Sequence, residues 1–547
     1  MFERQSRRVQ STVSSFSSSS NMNIGADLAG DPVFLKGKVI PSVSFARAMI
    51  TLGKVVRMSG VQKKDRTEYQ RWVQKVYLEE LERITPDLDK HILAKKKKLT
   101  ELEIKAQELS NQISAITYNG KFVQSRKEFW NWLYNINRDA WIVLDPIVSV
   151  QADGTFFEAF STDESVYARV FLPHSAISTE TKPTLGTTNI DYGMLLDREF
   201  KRTRSYRPVN LQVGLDAVSI STAASDVIEE RIPLPETWVQ GLVEVQSVLA
   251  LAQTTFTLQS DSLADIIARL ESERETEGPR SLKFHLIPGQ YIRVEIEPWN
   301  VIYKDEQNTY LGESEKEIRI WGRRRLSVLK DLLVQSTEVK VTLLGSGMPS
   351  FWTVVQDGVE LTIGLSGWTS NDWASKAKFS GFLPTVNISE TDQLKAEEVI
   401  KQKGSLNASE LATELSIKTP SAAAILQSLC LAGKAMFDPN RNLYRWRDLF
   451  PGLNLKTSTA KSPEETAGLH LYATKEFKLE SDQTKNKSRF VTSTTKHGYK
   501  SYETEIEFDL DGRPKYAECT CSFFRYNKLK AGPCRHLVAT TLKLGEL

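Results

Sequence analysis

Three cysteines and one histidine near the end of the chain have types and spacing that suit a metal ion. Cys519, Cys521, Cys534 and His536 form the pattern C-x-C-x12-C-x-H. Three thiolates and one imidazole make a closed tetrahedral set for Zn²⁺, whose structural sites are typically four-coordinate. Because no coordination position is left open, the set predicts one structural zinc ion rather than a catalytic one. The alternative is that these four residues are ordinary buried polar groups.

Strand and helix patterns on both sides would bring the two ligand pairs together. Residues two apart on a strand point the same way, so Cys519 and Cys521 can bind from one side. The preceding segment YKSYETEIEFDLDGRPKYAEC alternates like a hairpin with Asp511-Gly512 at its turn. The following segment LVATTLKL predicts a helix. Its N-terminal dipole would favour a thiolate at Cys534.

This arrangement resembles the SWIM zinc finger. The resemblance covers roughly residues 490–547 and includes the run Gly-Pro-Cys-Arg-His-Leu at 532–537. The resemblance implies that one zinc ion is bound in a small domain by four ligands, which are Cys519, Cys521, Cys534 and His536. SWIM domains are DNA-binding or protein-interaction modules, so the resemblance implies either partner.

Other segments resemble a bacterial class of proteins that contain SWIM domains. These segments are FEAFSTDESVYARVFL, TTNIDYGMLL, IWGRRRLSVL and GLSGWTSNDW. The class resembles components of gene systems that also encode a MoxR-type AAA+ ATPase and a von Willebrand A-domain protein. The resemblance therefore implies one of these two proteins as a partner.

Basic and aromatic residues surround the predicted zinc site and suggest binding to nucleic acid, in the first place DNA. Basic groups neutralise phosphates, and aromatic rings stack on bases. The residues predicted to contact nucleic acid are Arg513, Lys515, Phe524, Arg525, Lys528, Lys530 and Arg535. In the competing interpretation, Phe524 packs the small zinc core and the lysines only solvate it.

Length and composition exclude several classes of protein. The chain has 547 residues, with 71 Lys+Arg against 68 Asp+Glu, so any affinity for nucleic acid must be local. The 40% of hydrophobic residues excludes a mainly disordered chain, and the lack of 18 consecutive apolar residues excludes a membrane-spanning helix. Four cysteines, three of them clustered, indicate a metal site in a reducing compartment, and we expect a cytoplasmic protein.

The patterning predicts an α+β multidomain protein. The predicted segments are a disordered Ser-rich tail (1–27), a helical N-terminal region (28–120), two α+β domains (121–230 and 231–390), a winged helix-turn-helix (391–450), a linker (451–464) and the zinc domain (465–547). The Arg/Ser-rich tail would also suit a transit peptide, but Glu3 and the lack of an amphipathic stripe argue against one. The boundary near 230 follows from the segment IPLPETW.

The predicted winged helix is a weak candidate for reading DNA sequence. A recognition helix usually brings Arg, Lys or Asn to base edges, but the segment TPSAAAILQSLCLAG offers little beyond Thr419, Ser421 and Gln427. Its hairpin carries Arg445 and Arg447, which would be able to contact the DNA backbone. Residues 391–450 contain 8 basic and 7 acidic residues, so contact with protein is the alternative.

The remaining motifs give no sign of catalysis. The run from Arg323 to Arg325 would hold phosphate or a carboxylate, or would supply internal ion pairs. The glycines at 345–350 lack the Gly-Lys-Ser/Thr ending of a P-loop. No nucleophile motif or diagnostic carboxylate pair is present, so the sequence favours binding, either of nucleic acid or as a protein adaptor, over an enzyme. Cys430 lies on the apolar side of its predicted helix and is expected in the core.

Overall fold

The computed structural model describes residues 35–58, 146–179, 182–189, 192–206, 209–214, 217–222, 225–230, 236–368, 371–374, 379–382, 389–449, 462–474, 476–485, 488–497, 500–509 and 512–544. In these residues helices and strands are mixed, as the patterning predicts for an α+β chain of several domains. The predicted tail 1–27 and most of the helical region 28–120 lie outside them. No described helix is long and apolar enough to cross a membrane.

A five-stranded antiparallel sheet contains the first described residues. Its strands are β1 (Leu35–Val39), β5 (Ile177–Thr179), β7 (Val209–Val213), β8 (Ala217–Thr222) and β9 (Ser225–Glu230), in the order β5-β1-β7-β8-β9. The helix α1 (Ser42–Val56) follows β1, and its Phe45 packs 5.6 Å from the ring of Phe157. Residues 35–58 therefore belong with the middle of the chain, and the predicted boundary that separates 28–120 from it is wrong for this segment.

An eight-stranded antiparallel sheet forms the centre of the described chain. Its strands are β2 (Ile147–Val150), β3 (Gly154–Phe160), β4 (Val166–Pro173), β6 (Gly186–Asn189), β10 (Thr254–Gln259), β15 (Glu338–Leu343), β16 (Ser350–Gln356) and β17 (Val359–Leu365). They pair in the order β10-β15-β16-β17-β4-β3-β2-β6. Both β3 and β17 are buried along their whole length, because other elements cover both faces of the sheet.

Further elements surround these sheets. A four-stranded sheet has the order β13-β12-β11-β14 and consists of β11 (Leu282–Leu286), β12 (Tyr291–Ile296), β13 (Val301–Thr309) and β14 (Lys316–Ile320). The helices are α2 (Met194–Arg202), α3 (Glu236–Leu249), α4 (Ser260–Ser272), a 3-10 helix (Arg323–Leu329) and α5 (Lys330–Leu333). The hairpins predicted at Pro288-Gly289 and at Asp357-Gly358 are confirmed by β11–β12 and β16–β17.

The predicted division between domains 121–230 and 231–390 is wrong. Strands from both segments share the eight-stranded sheet, where β4 pairs with β17 and Arg169 lies opposite Thr362. The last three residues of the segment that suggested a boundary, Glu236 to Trp238, begin α3. A short proline-containing segment cannot reveal this pairing, because the strands that pair are far apart in sequence.

Residues 389–449, which we call the three-helix unit, contain three helices and a small sheet. The helices are α6 (Glu390–Lys403), α7 (Ala408–Leu415) and α8 (Thr419–Leu431), and the strands β18 (Ser405–Leu406), β19 (Ala435–Asp438) and β20 (Leu443–Trp446) pair in the order β18-β20-β19. Asn407 and Glu410 form a capping box at the start of α7. Cys430 is buried in the core, as predicted, and burial raises the pKa of its thiol to about 12.

The three-helix unit is bound to the eight-stranded sheet by buried ion pairs. Arg445 bonds Asp153 at 2.9 and 2.6 Å and Asp438 at 2.9 Å, and it is fully buried. Arg447 donates to Glu158, which also accepts from the Tyr167 hydroxyl. Arg445 and Arg447 are therefore not available to a DNA backbone, which corrects that expectation. Their partners Asp153 and Glu158 lie 292 and 289 residues away in sequence.

Candidate metal centre

The zinc domain, residues 462–544, is a four-stranded antiparallel sheet with helices packed against it. The strands are β21 (Phe477–Lys485), β22 (Ser488–His497), β23 (Lys500–Phe508) and β24 (Pro514–Cys519), and the helices are α9 (Pro463–Tyr472), α10 (Ser522–Asn527) and α11 (Arg535–Leu544). The predicted hairpin is confirmed by β23 and β24, where Thr504 lies opposite Cys519. Ser462 caps α9, so the domain begins slightly before the predicted residue 465.

Each ligand occupies the end of an element. Cys519 ends β24, Cys521 is the N-cap of α10, Cys534 directly precedes α11, and His536 lies in the first turn of α11. Their four ligand atoms all lie within 4.8 Å of one another. Ligands of a tetrahedral zinc ion are about 3.3–3.8 Å apart, since Zn–N and Zn–S bonds are about 2.0–2.3 Å long. A small contraction of the cluster therefore accommodates one zinc ion.

The cluster is buried, and backbone N–H groups lie within hydrogen-bonding distance of two of its sulfurs. The backbone N–H of Cys521 lies 3.5 Å from the Cys519 sulfur, and that of Phe524 lies 3.4 Å from the Cys521 sulfur. Burial raises the pKa of the Cys534 thiol, and its cysteine neighbours raise it further. Hydrogen bonds from Cys519 and Cys534 lower the pKa of Cys521. Zinc must therefore displace protons from the cluster, which makes its binding depend on pH.

Residues outside the ligand set fix the position of His536. The Tyr502 ring stacks on the imidazole at 4.8 Å between centroids. The Thr540 hydroxyl donates to the His536 carbonyl at 2.8 Å and lies 2.7 Å from the Ser493 hydroxyl and 3.1 Å from that of Thr504. Sequence reasoning missed these supporting residues. The register opposite Cys519 is the one signal that would have indicated Thr504.

The helix α11 is held tightly against α9. A Cβ atom at Gly468 would lie 2.6 Å from Cγ1 of Val538, so only glycine permits this approach. Glu464 accepts three hydrogen bonds from Arg535, from its backbone N at 2.9 Å, Nε at 3.1 Å and Nη2 at 2.7 Å. Arg535, one of the residues predicted to contact nucleic acid, is thus paired within the zinc domain.

Most of the other residues predicted to contact nucleic acid also have side chains that contact other residues of the protein. Phe524 is buried with the zinc cluster, as the competing interpretation expected. Lys515 pairs with Glu507 at 3.0 Å. Arg513 lies 5.3 Å from the Phe437 ring centroid and 3.3 Å from the Asn442 side-chain oxygen, both in the three-helix unit.

Lys530 lies on a pair of tryptophans from the middle of the chain. Its ammonium is 4.5 Å from the ring centroid of Trp368 and 5.9 Å from that of Trp321. Its backbone carbonyl accepts a hydrogen bond from the Asn371 amide at 2.7 Å. The stem of Lys530 packs so closely on Gly347 that a Cβ there would be 2.6 Å from Cγ. The loop between Cys521 and Cys534 is thus anchored on the rest of the chain.

The exposed surface of the zinc domain combines a small basic tip and acidic strands. Arg525 and Lys528 are exposed, and Tyr526 between them is 80% exposed. On the sheet, Glu505 of β23 lies directly opposite Glu518 of β24, and both are exposed. Phosphate groups would be repelled by that part of the sheet.

Comparisons with known proteins agree with this geometry at the zinc domain. Residues 502–545 match the family model of the SWIM zinc finger, and the matched range contains all four cluster residues. The chain therefore carries one buried Cys₃His site for a structural zinc ion. A search of curated proteins found no match.

The solved structures that this chain is similar to include several of PCNA. Three of them are the PCNA2–PCNA3 complex of Sulfolobus tokodaii (9% identity, TM-score 0.32, 43% of this chain and 94% of that chain), PCNA of Thermococcus kodakaraensis (13%, 0.31, 44% and 96%) and proliferating cellular nuclear antigen of Entamoeba histolytica (14%, 0.29, 41% and 89%).

Proposed function

We propose that the protein is a zinc-stabilised adaptor that binds a protein partner and catalyses no reaction. The observation that carries this proposal is that most of the basic residues predicted to contact nucleic acid instead contact other residues of the chain. Arg535 pairs with Glu464, Lys530 lies on two tryptophans and Lys515 pairs with Glu507. Side chains that already have partners within the chain are poorly available to neutralise phosphates.

The ligand set supports a structural rather than a catalytic metal. Catalytic zinc ions usually have three protein ligands and keep a position for water or substrate. Four buried protein ligands leave no such position. The zinc ion would therefore stabilise the domain that presents the binding surface, and its chemistry would not take part in a reaction.

The three-helix unit supports the same proposal. Its helices followed by a hairpin support the assignment of a winged helix, in which α8 would be the recognition helix. However, Gln427 of α8 donates to the Gln246 carbonyl of α3 at 3.0 Å and is buried. We propose that this unit is a scaffold that packs against α3 rather than a reader of DNA.

Nucleic-acid binding by the zinc domain is the second candidate function. The exposed Arg525, Tyr526 and Lys528 support it, because two cations and one aromatic ring can bind a single strand. Two phosphate contacts would give a log–log salt slope of about −1.4 to −1.8. This slope is much shallower than the one that all six predicted basic residues would produce.

The sequence resemblance supports a partner, and the zinc-binding thiols support a location. The resemblance of four sequence blocks to a bacterial class implies a MoxR-type ATPase or a von Willebrand A-domain protein as the partner to test first. The thiols must stay reduced to bind zinc, which supports a reducing compartment, and we propose the cytoplasm.

The adaptor proposal is tested with purified proteins from the same organism. Zinc-loaded full-length chain is mixed with the ATPase or with the von Willebrand A-domain protein, and complex formation is measured by light scattering after size-exclusion chromatography. We expect a complex with one of the two that survives about 150 mM salt, where exposed charge pairs are largely screened. If neither protein binds while short DNA does, the second candidate replaces the adaptor.

A further inference from the structure

A small cleft lies beside the arginine run that the sequence marked as a possible phosphate or carboxylate site. It has a volume of about 250 Å³ and lies between α4 and the 3-10 helix at Arg323–Leu329. Its lining residues are Ile267, Leu270, Glu271, Arg274, Arg323, Arg324 and Ser327. Three of these are arginines, and two are buried aliphatic residues that form an apolar wall. The volume of the cleft is slightly below the range of about 300–1,000 Å³ that is usual for small-molecule sites, so a small ligand fits it best.

The carboxylates next to the cleft are already paired with cations. Glu271 pairs with Lys330 at 2.5 Å, and Glu273 pairs with Arg269 at 2.9 Å. Glu275 is shared by Arg323 and Arg324. Burial opposes the ionisation of Glu275, but hydrogen bonds from both arginines lower its pKa to about 2, so it is a carboxylate at neutral pH.

The charges around the cleft leave an excess of cations. Among the lining residues, Arg274, Arg323 and Arg324 are cations and Glu271 is an anion, so the lining carries two more positive than negative charges. Arg274 is exposed at the rim and forms no ion pair with a described residue. Arg324 is partly exposed and donates to the carbonyls of Leu270 and Glu273 as well as to Glu275.

Arg323, which lines the cleft, has a buried donor without a hydrogen-bond partner in the described part of the chain. It is only 2% exposed, and its Nη atoms donate to the Ser281 and Glu297 carbonyls and to Glu275. Its Nε has no hydrogen-bond partner among the described residues. A buried guanidinium donor without a partner is costly, and an anion that reached it would remove that cost.

We propose that this cleft binds the phosphate group of a small phosphate monoester. A phosphate monoester carries a charge of about −1.5 to −2 at neutral pH, which matches the excess of two cations. Guanidinium groups bind phosphate oxygens with paired, directed hydrogen bonds. The organic part would lie against Ile267 and Leu270. This inference is independent of the partner proposed above.

The proposal is tested by isothermal titration calorimetry on the zinc-loaded full chain at constant ionic strength. The probes are inorganic phosphate and glycerol 3-phosphate, with chloride and glycerol as controls. We expect saturable binding of both phosphates and none of the controls. Arg274→Gln removes an exposed side chain without a described ion-pair partner, so it should fold normally and weaken binding about tenfold or more. Arg280→Gln, an exposed arginine outside the lining, should bind as the original chain does.

Three outcomes would overturn the proposal. The first is that neither phosphate binds saturably at concentrations up to about 10 mM, which would place the dissociation constant above that concentration. The second is equal weakening by Arg274→Gln and Arg280→Gln, which would indicate nonspecific attraction. The third is binding of inorganic phosphate alone, which would show that the cleft excludes the organic part.

Discussion

The zinc domain and the three-helix unit both bury polar groups, and they neutralise these groups in different ways. In the zinc domain three cysteines and one histidine place their ligand atoms within 4.8 Å of one another, as donors for one metal cation. In the three-helix unit the arginines bring their own cations to carboxylates of the eight-stranded sheet. The first arrangement requires a metal ion that the chain must acquire, whereas the second is complete within the chain.

A polar site can be recognised from local sequence when its residues lie close together in the chain. The four zinc ligands lie within residues 519–536, and their spacing on a strand end and a helix start is visible in the sequence. Asp153 and Glu158, the partners that Arg445 and Arg447 contact outside the three-helix unit, lie almost 300 residues away. We therefore expect changes in the zinc domain to be local to it and changes in the ion pairs to loosen two parts of the chain together.

The largest expected effect comes from Cys521→Ser. Structural zinc contributes about 10–16 kcal/mol of apparent binding free energy in small zinc-binding peptides, and a small domain has little other core to replace it. We expect the zinc content of the variant to fall well below one ion per chain. Hydrogen exchange should show that residues 488–544 lose protection while the eight-stranded sheet keeps it.

A matched control uses the remaining cysteine. Cys430→Ala also removes a buried thiol, but Cys430 lies in the three-helix unit, outside the metal cluster. It should keep one zinc ion per chain. If Cys521→Ser left residues 488–544 as protected as in the original chain, zinc would not be what stabilises the domain.

A smaller but still large effect is expected from Arg447→Met. This variant removes the cation hydrogen-bonded to the buried carboxylate of Glu158 and leaves the Tyr167 hydroxyl as its hydrogen-bond partner among the described residues. Removing one member of a buried ion pair costs about 3–5 kcal/mol. The measurement is the opening free energy of β3 and β20 from hydrogen exchange.

Two further variants sharpen this prediction. Arg447→Met combined with Glu158→Gln should be less destabilised than Arg447→Met alone, because no buried charge is left unpaired. Lys478→Met removes an exposed ion pair with Glu480 and should have almost no effect. Equal costs for Arg447→Met and Lys478→Met would argue against a buried pair.

An intermediate effect is expected from pH at Asp438. Burial opposes its ionisation, but Arg169, Arg445 and Arg441 lower its pKa from the ordinary 3.8 to about 2. A carboxylate with a lowered pKa stabilises the fold above about pH 4, and the stabilisation, about 2 kcal/mol, is lost as pH falls toward 2. Urea unfolding of β19 and β20, followed by hydrogen exchange, should show this loss.

Asp438→Asn provides the control for this pH dependence. The variant cannot ionise at that position, so the difference in stability between it and the original chain should shrink as pH falls from about 4 to about 2. A difference that stays constant over this range would show that Asp438 does not carry the pH dependence.

The smallest effect is expected at the contact between the zinc domain and the tryptophans. Lys530→Met keeps the stem against Gly347 but removes the cation over Trp368, which is worth about 0.5–1 kcal/mol at a partly exposed site. Hydrogen exchange of residues 528–533 should accelerate by less than about tenfold, with zinc content unchanged. Arg525→Met, at an exposed position, should leave these rates unaltered. Loss of zinc from Lys530→Met would mean that the contact also holds the metal site.

Features encoded within a few residues were predictable from the sequence. The zinc ligands, the hairpin before them and the hairpins at Asp357-Gly358 and Pro288-Gly289 depend on neighbouring residues, and the structure confirms them. The core position of Cys430 followed from helical spacing and is also confirmed.

Features that depend on pairing between distant segments were not predictable. The sheet that crosses residue 230 joins β4 to β17, and β1 pairs with β5 and β7. Lys530 and Arg445 looked like exposed cations, because the rings and carboxylates that they contact come from other parts of the chain. Charge patterns alone do not distinguish a cation that awaits a phosphate from one that already has a partner.

The most direct test of the adaptor proposal is the salt dependence of binding to short single- and double-stranded DNA and RNA. The zinc-loaded full chain and the variant Arg525→Gln/Lys528→Gln are compared over a series of salt concentrations that begins at about 50 mM. Phosphate contacts are strongest at this lowest concentration. If the protein is an adaptor, we expect no binding tighter than about 10⁻⁴ M, the weak end of nonspecific binding, and no difference between the two proteins. Micromolar or tighter binding that weakens steeply with salt would contradict the adaptor proposal, and would show that the basic residues of the zinc domain bind nucleic acid.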